Sequence, residues 1–239
     1  MIFYGFCGKM FKQFIWGNNT LKTKAFLKRY SVIALLSVLL SDLLAFYGSH
    51  LLMFGRGYHD ITSALDKKIP FVPEFIIVYV LAFVQWVACY IVIAAEDKQK
   101  AYRFCVGASV ANIICGIVFI AFPTVMVIRP EASGTGLAGF LTRFIFAADN
   151  PPVNLFPSMH CLESYLCIRV IFASKRVPKS LKALNLVFSI MVFAAVLLVK
   201  QHLIIDVFAG ILVAEFGVLL TKALKLDEKL IKMEGKLLS

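Results

Sequence analysis

Residues 73 to 95 read PEFIIVYVLAFVQWVACYIVIAA, a run with one charged side chain, Glu74, near its start. A helix needs about 20 predominantly apolar residues to cross the hydrocarbon layer of a membrane, so the run predicts a transmembrane helix. Five further runs approach that length: about Ser31 to Phe54, Arg103 to Ile128, Ser158 to Ser174, Leu181 to Val199 and Leu203 to Leu220. With 60% apolar residues, 22 Phe and a mean hydropathy of +0.84, the chain lies outside the soluble range. The expected architecture is all-α, a polytopic membrane bundle of six transmembrane helices over residues 31–222. Residues 1–30 mix Phe and Trp with Lys and read as an N-terminal interfacial segment; residues 223–239 read as a basic cytoplasmic tail.

The formal net charge of +11 could suggest nucleic acid, but the placement of the basic residues argues for topology instead. Lys and Arg are retained on the cytoplasmic side. With the N-terminus inside, 18 of the 25 fall in cytoplasmic segments and six in outer loops, and Arg169 lies inside the fourth run. Both termini are then cytoplasmic. The outer face receives the end of the third run and the starts of the fourth and sixth. The six cysteines show no CxxC pair, and all but Cys7 lie in or at the ends of apolar runs, as small packing residues do.

Two patches on that outer face carry chemistry. Asn154 to His160 reads NLFPSMH and Lys200 to Asp206 reads KQHLIID. His202 and Asp206 are four apart at a helix start, so the carboxylate can hold one imidazole nitrogen while the other points outward. Pro157 fits a first helical turn, leaving Ser158, Met159 and His160 to present free N–H groups to an anion. Arg129, before Pro130 where the third run emerges, offers a planar cationic fork suited to phosphate. Each feature alone also fits a structural role: an interfacial histidine, a capped helix start, a boundary cation.

Together, Arg129-Pro130, Pro157-Ser158-Met159-His160 and His202 with Asp206 resemble the three motifs of the type-2 phosphatidic acid phosphatase superfamily. The stretch from Asp149 to His160 and the run Lys200-Gln201-His202 look most like its inositol-phosphorylceramide-synthase-like branch. The resemblance implies that His202 attacks phosphorus, Asp206 orients it and His160 protonates the leaving oxygen. Arg129, Ser158, Lys200 and the backbone at Met159 would hold the phosphoryl oxygens. It implies no cofactor and no metal and a lipid phosphate as substrate, and the topological placement of the basic residues argues against a nucleic-acid partner. The implied activity is hydrolysis of a lipid phosphomonoester or diphosphate of the phosphatidic acid, phosphatidylglycerol phosphate or undecaprenyl diphosphate type. Transfer to an alcohol, or an inactive lipid carrier, are the alternatives. The chain departs from the family pattern at Phe122, where a Lys is usual, at Met159, often Gly, and at Val196, usually Arg. Phosphate binding would then rest on Arg129 with Lys200 and Arg143.

Other charges lie inside the runs. Arg169 and Glu215 fall at similar depths and are expected to pair. Glu163, one turn below His160, reads either as an acid supporting the site or as packing, and Asp42 receives no assignment. Leu137, Phe140, Leu141, Phe144 and Ile145 recur at helical spacing and predict an interfacial helix roofing the site. His50 and His59 receive no role.

Overall fold

The computed structural model describes residues 29–53 and 57–237, so the expected interfacial segment falls almost wholly outside it. The described chain is helical. α1 (Arg29–Leu43) passes through a π-helical turn (Leu44–Gly48) into the short α2 (Ser49–Leu52). Then come α3 (Ile76–Glu96), α4 (Lys98–Ala121), α5 (Gly136–Ala148), α6 (Met159–Ala173), α7 (Lys179–Leu198), α8 (Ile204–Ala223) and α9 (Leu226–Leu237).

Among the described residues, five segments are long and apolar enough to cross a membrane: Tyr30–Leu52, Pro73–Glu96, Lys98–Ala121, Lys179–Leu198 and Ile204–Ala223. The fourth expected run instead forms α6, whose 15 residues reach only about 22 Å at the helical rise. Its surroundings explain the short length. α6 packs against α3, α4, α7 and α8, and Cys161, Leu162, Leu166 and Val170 are fully enclosed. Protein rather than lipid surrounds it, so the irregular backbone before it can be satisfied internally.

Small residues bring the other helices together, as expected where lipid removes the hydrophobic drive for helix association. A methyl group on Gly217 of α8 would run into the Gly107 carbonyl of α4. α3 and α4 turn on the single residue Asp97, whose side chain caps α4 by accepting the Lys100 N–H at 2.8 Å. The cysteines at 89, 105, 115, 161 and 167 are buried and unpaired. Arg169 and Glu215 form the expected ion pair, joined by the Tyr165 hydroxyl, which donates to Glu215 at 2.9 Å. The expected tail is a second docked element: α9 is pinned to the start of α4 by Arg103 to Asp227 at 3.0 Å and Lys98 to Glu234 at 2.6 Å.

At the opposite end of the bundle the loops pair with one another. The His59 N–H donates to the Pro123 carbonyl at 2.8 Å, the Val125 N–H to the His59 carbonyl at 3.1 Å, and the Met126 N–H to the Pro152 carbonyl at 2.9 Å. α5, the helix its spacing predicts, lies beside them, with Ile145 and Ala148 lining the cavity below, Leu137, Phe140 and Phe144 exposed and Ala138 and Thr142 buried.

Candidate active site

The paired loops bring the segment 153–158 under Thr124. This buried hydroxyl accepts the Leu155 N–H at 3.1 Å and the Phe156 N–H at 3.2 Å. Two buried donors are thereby satisfied by one side chain. The Leu155 carbonyl then faces His202 and accepts from its Nδ1 at 3.0 Å. A carbonyl can only accept, so Nδ1 carries a proton, and in the neutral ring Nε2 keeps its lone pair.

Asp206 lies beside the ring without hydrogen-bonding to it. Its Oδ2 lies 3.6 Å from His202 Nδ1, beyond hydrogen-bond reach, and accepts the Leu203 N–H at 2.7 Å. The carboxylate caps α8 and offers the ring a nearby negative charge; the backbone of Leu155 sets the ring's orientation.

The two motif segments are also joined directly. The Ser158 N–H donates to the Asp206 carbonyl at 3.0 Å, and a methyl group on Gly210 would overlap the Ser158 carbonyl. α6 begins at Met159, so Pro157 precedes the cap residue and does not occupy the first turn. Ser158 is the cap: its hydroxyl accepts the Cys161 N–H at 3.3 Å, and the residue is fully buried. Its own N–H and hydroxyl are thus committed to the fold. The N–H groups of Met159 and His160 precede the first intrahelical bond and remain at the positive end of the helix.

His160 and His202 share a cavity of about 230 Å³, with ring centroids 6.1 Å apart. His160 stacks on Tyr79, with centroids 4.0 Å apart, and meets Phe83 and Trp86 edge-on; its Nε2 is buried without a hydrogen-bond partner among the described residues. Gln201, Asn154, Asp149 and Met159 also line this space.

The expected cations are placed differently. Arg129 lies at the edge of the cavity, where it donates to the Asp149 carboxylate at 2.6 Å, the Asp149 carbonyl at 2.9 Å and Gln201 Oε1 at 3.1 Å. Burial pushes the Asp149 carboxyl up from its ordinary value against the lowering pull of Arg129. With Oε1 on Arg129, the Gln201 amide holds its Nε2 donor in the buried cavity wall without a partner among the described residues. Lys200 is turned away by a left-handed backbone (φ 54), and its ammonium donates to the carbonyls of Asp66 at 2.9 Å and Ile69 at 2.6 Å. Arg143 is exposed. The structure therefore brings His160, His202, Met159 and the Arg129 edge together, and leaves Lys200, Ser158 and Arg143 outside the cavity.

Sequence reasoning missed Leu155, Thr124, Asp149 and Gln201 as contributors. Glu163 accepts from the Tyr90 hydroxyl at 2.7 Å and from Asn112 at 3.3 Å, a buried polar junction one turn below His160.

A family model described as PAP2 superfamily matches residues 58–220. No curated protein and no solved structure matches the chain.

Proposed function

The chain belongs to the PAP2 superfamily, whose members are generally phosphoesterases, and on that premise we propose an integral membrane phosphatase that hydrolyses a lipid phosphomonoester or diphosphate by a metal-independent phosphohistidine route. The observation that carries this reading is the free Nε2 of His202, fixed by the Leu155 carbonyl and facing the same cavity as His160. His202 Nε2 attacks phosphorus and forms the N–P bond as the P–O bond to the lipid breaks. His160 gives its proton to the departing lipid oxygen, then takes one from the water that attacks phosphohistidine and releases phosphate. Phosphoryl transfer depends mainly on positioning and on charge around the equatorial oxygens. The N–H groups of Met159 and His160 and the Gln201 amide would supply hydrogen bonds to them. Arg129 adds charge once phosphate competes with Asp149 for its guanidinium.

Phosphatidic acid, phosphatidylglycerol phosphate and undecaprenyl diphosphate are the substrates to test first. We place the chain nearest the inositol-phosphorylceramide-synthase-like branch on the stretch from Asp149 to His160. Purified protein in detergent with a chelator should release phosphate from at least one of the three lipids, and His202→Ala should not. Absence of release, or equal release by the variant, refutes the phosphatase. Release that requires an added alcohol assigns phosphotransfer instead. We place the site at the outer face with both termini cytoplasmic; a cysteine at Glu131 labelled only from the cytoplasm would reverse that orientation.

A further inference from the structure

The family match begins at residue 58, but the first helix is part of the cavity: Asp42, Phe46 and Tyr47 line one side of the space that holds His160 and His202. The register of this wall is set locally. The π-helical turn at Leu44–Gly48 carries an extra residue per turn, a feature often found at functional sites. Asn154, with φ 60, donates from its amide to the Phe46 carbonyl at 3.2 Å and to Ser49 Oγ at 3.0 Å. The residue after Asn154 is Leu155, whose carbonyl holds His202, so one short segment positions both the nucleophile and this wall. At the turn itself, a methyl group on Gly116 would sit 3.1 Å from the Ala45 backbone, so α4 and the first helix are in close contact.

Asp42 lies one turn before Phe46, on the side away from the Asn154 tether. The adjacent Ser41 accepts from Asn112 at 3.3 Å, and Asn112 also donates to Glu163, three residues into α6 from His160. Asp42 and Glu163 act on each other electrostatically. Asp42 therefore sits near the level of Glu163, about one helical turn or 5 Å deeper than His160. Glu163, Asp149 and Asp206 each receive hydrogen bonds. Among the described residues, the Asp42 carboxylate receives no hydrogen bond and has no cation beside it. An unpaired carboxylate in a spanning helix is costly, so a functional role is its default reading.

A phosphate would be repelled by this carboxylate and belongs at the helix ends with the histidines. In a lipid lying with its phosphate there, the atoms one turn deeper are the backbone carbons that bear the phosphoester. We propose that Asp42 is a specificity-determining residue, accepting a hydrogen bond from a hydroxyl or amine carried on those carbons. The inference rests on the lipid phosphatase reading and narrows its substrate to lipids that keep such a donor.

The test uses the full chain in detergent with three lipid phosphates of matched chain length: an alkyl phosphate without a donor, a monoacylglycerol phosphate with a hydroxyl, and a sphingoid-base phosphate with a hydroxyl and an amine. Wild type should favour the two donor lipids in kcat/KM. Asp42→Ala should reduce that preference roughly 10- to 100-fold, chiefly through KM. A preference that Asp42→Asn keeps assigns the hydroxyl, and an amine preference that it abolishes assigns the ammonium. Binding is read separately from Trp86 fluorescence in a Trp16→Phe, His202→Ala protein, because Trp86 lines the cavity. An equal loss on all three lipids, or no donor preference in both rate and binding, overturns the proposal. If wild type turns over none of them, the binding comparison still decides the role of Asp42, while the phosphatase reading stands or falls on the three lipids named for it above.

Discussion

Thr124→Val should damage the site without touching a histidine. The Thr124 hydroxyl is fully buried and accepts two backbone N–H groups, at 3.1 and 3.2 Å. Valine keeps the shape and removes the acceptor, leaving the Leu155 and Phe156 donors unsatisfied. Each orphaned buried donor costs about 1–3 kcal/mol, so the pair costs roughly 2–6 kcal/mol in the absence of relaxation. Relaxation would move the segment that carries the Leu155 carbonyl away from Thr124, and with it the 3.0 Å bond that orients His202. A displacement of about 1 Å at a reacting group can lower turnover 100-fold. Thermal unfolding in detergent reads the stability effect and phosphate release reads the catalytic one, with Thr124→Ser expected to recover both. A valine variant that melts and turns over like wild type refutes the reasoning. So does a serine variant as impaired as valine, since that would make the methyl group's packing, not the acceptor, responsible.

Gly210→Ala should push α8 from the Ser158 carbonyl and separate the segments bearing His202 and His160, with about 1–3 kcal/mol lost to overpacking and a fall in kcat larger than any change in KM; unchanged kinetics would count against that close contact. A double-mutant cycle on Arg169→Ala and Glu215→Ala should give a coupling of at least about 0.5 kcal/mol, whereas additive losses would deny the pair. Burial works to raise the Asp66 carboxyl, but hydrogen bonds from Ser63 and the Ile204 N–H, with the Lys200 charge, outweigh it and hold it below its ordinary value of 3.8. A depressed carboxyl stabilises the fold above its unfolded value and loses that contribution as pH falls through the folded one. Asp66→Asn should therefore lower the melting temperature at neutral pH, and the gap to wild type should close on acidification below the ordinary value; a gap that persists there argues against the charge.

The helical bundle was legible because apolar runs of spanning length have few alternatives. The Arg169–Glu215 pair was legible because counting residues inward from one membrane face fixes relative depth. The α5 helix was legible from the spacing of Leu137, Phe140, Leu141 and Phe144. Other parts leave no residue-type signal. Every residue carries a carbonyl, so nothing in the letters marks Leu155 as the partner of His202 in place of Asp206. Lys200 resembles a phosphate ligand until its left-handed backbone turns the ammonium toward Asp66 and Ile69. Ser158 has the expected helix-start chemistry, but its hydroxyl caps α6 and its N–H joins that segment to the Asp206 carbonyl. The cavity wall from Asp42 to Tyr47 depends on a π-helical turn and a tether from Asn154, neither of which periodicity reveals. The fourth run was read as a full span because apolarity does not distinguish contact with lipid from contact with other helices.

The most direct measurement is chemical trapping of the intermediate. Protein incubated with a lipid substrate labelled at the transferred phosphate, then denatured, should carry label that is acid-labile, stable to base and located on His202, with none on His202→Ala. Turnover without labelled His202, or label stable to acid on another residue, would contradict the assignment of His202 as the nucleophile.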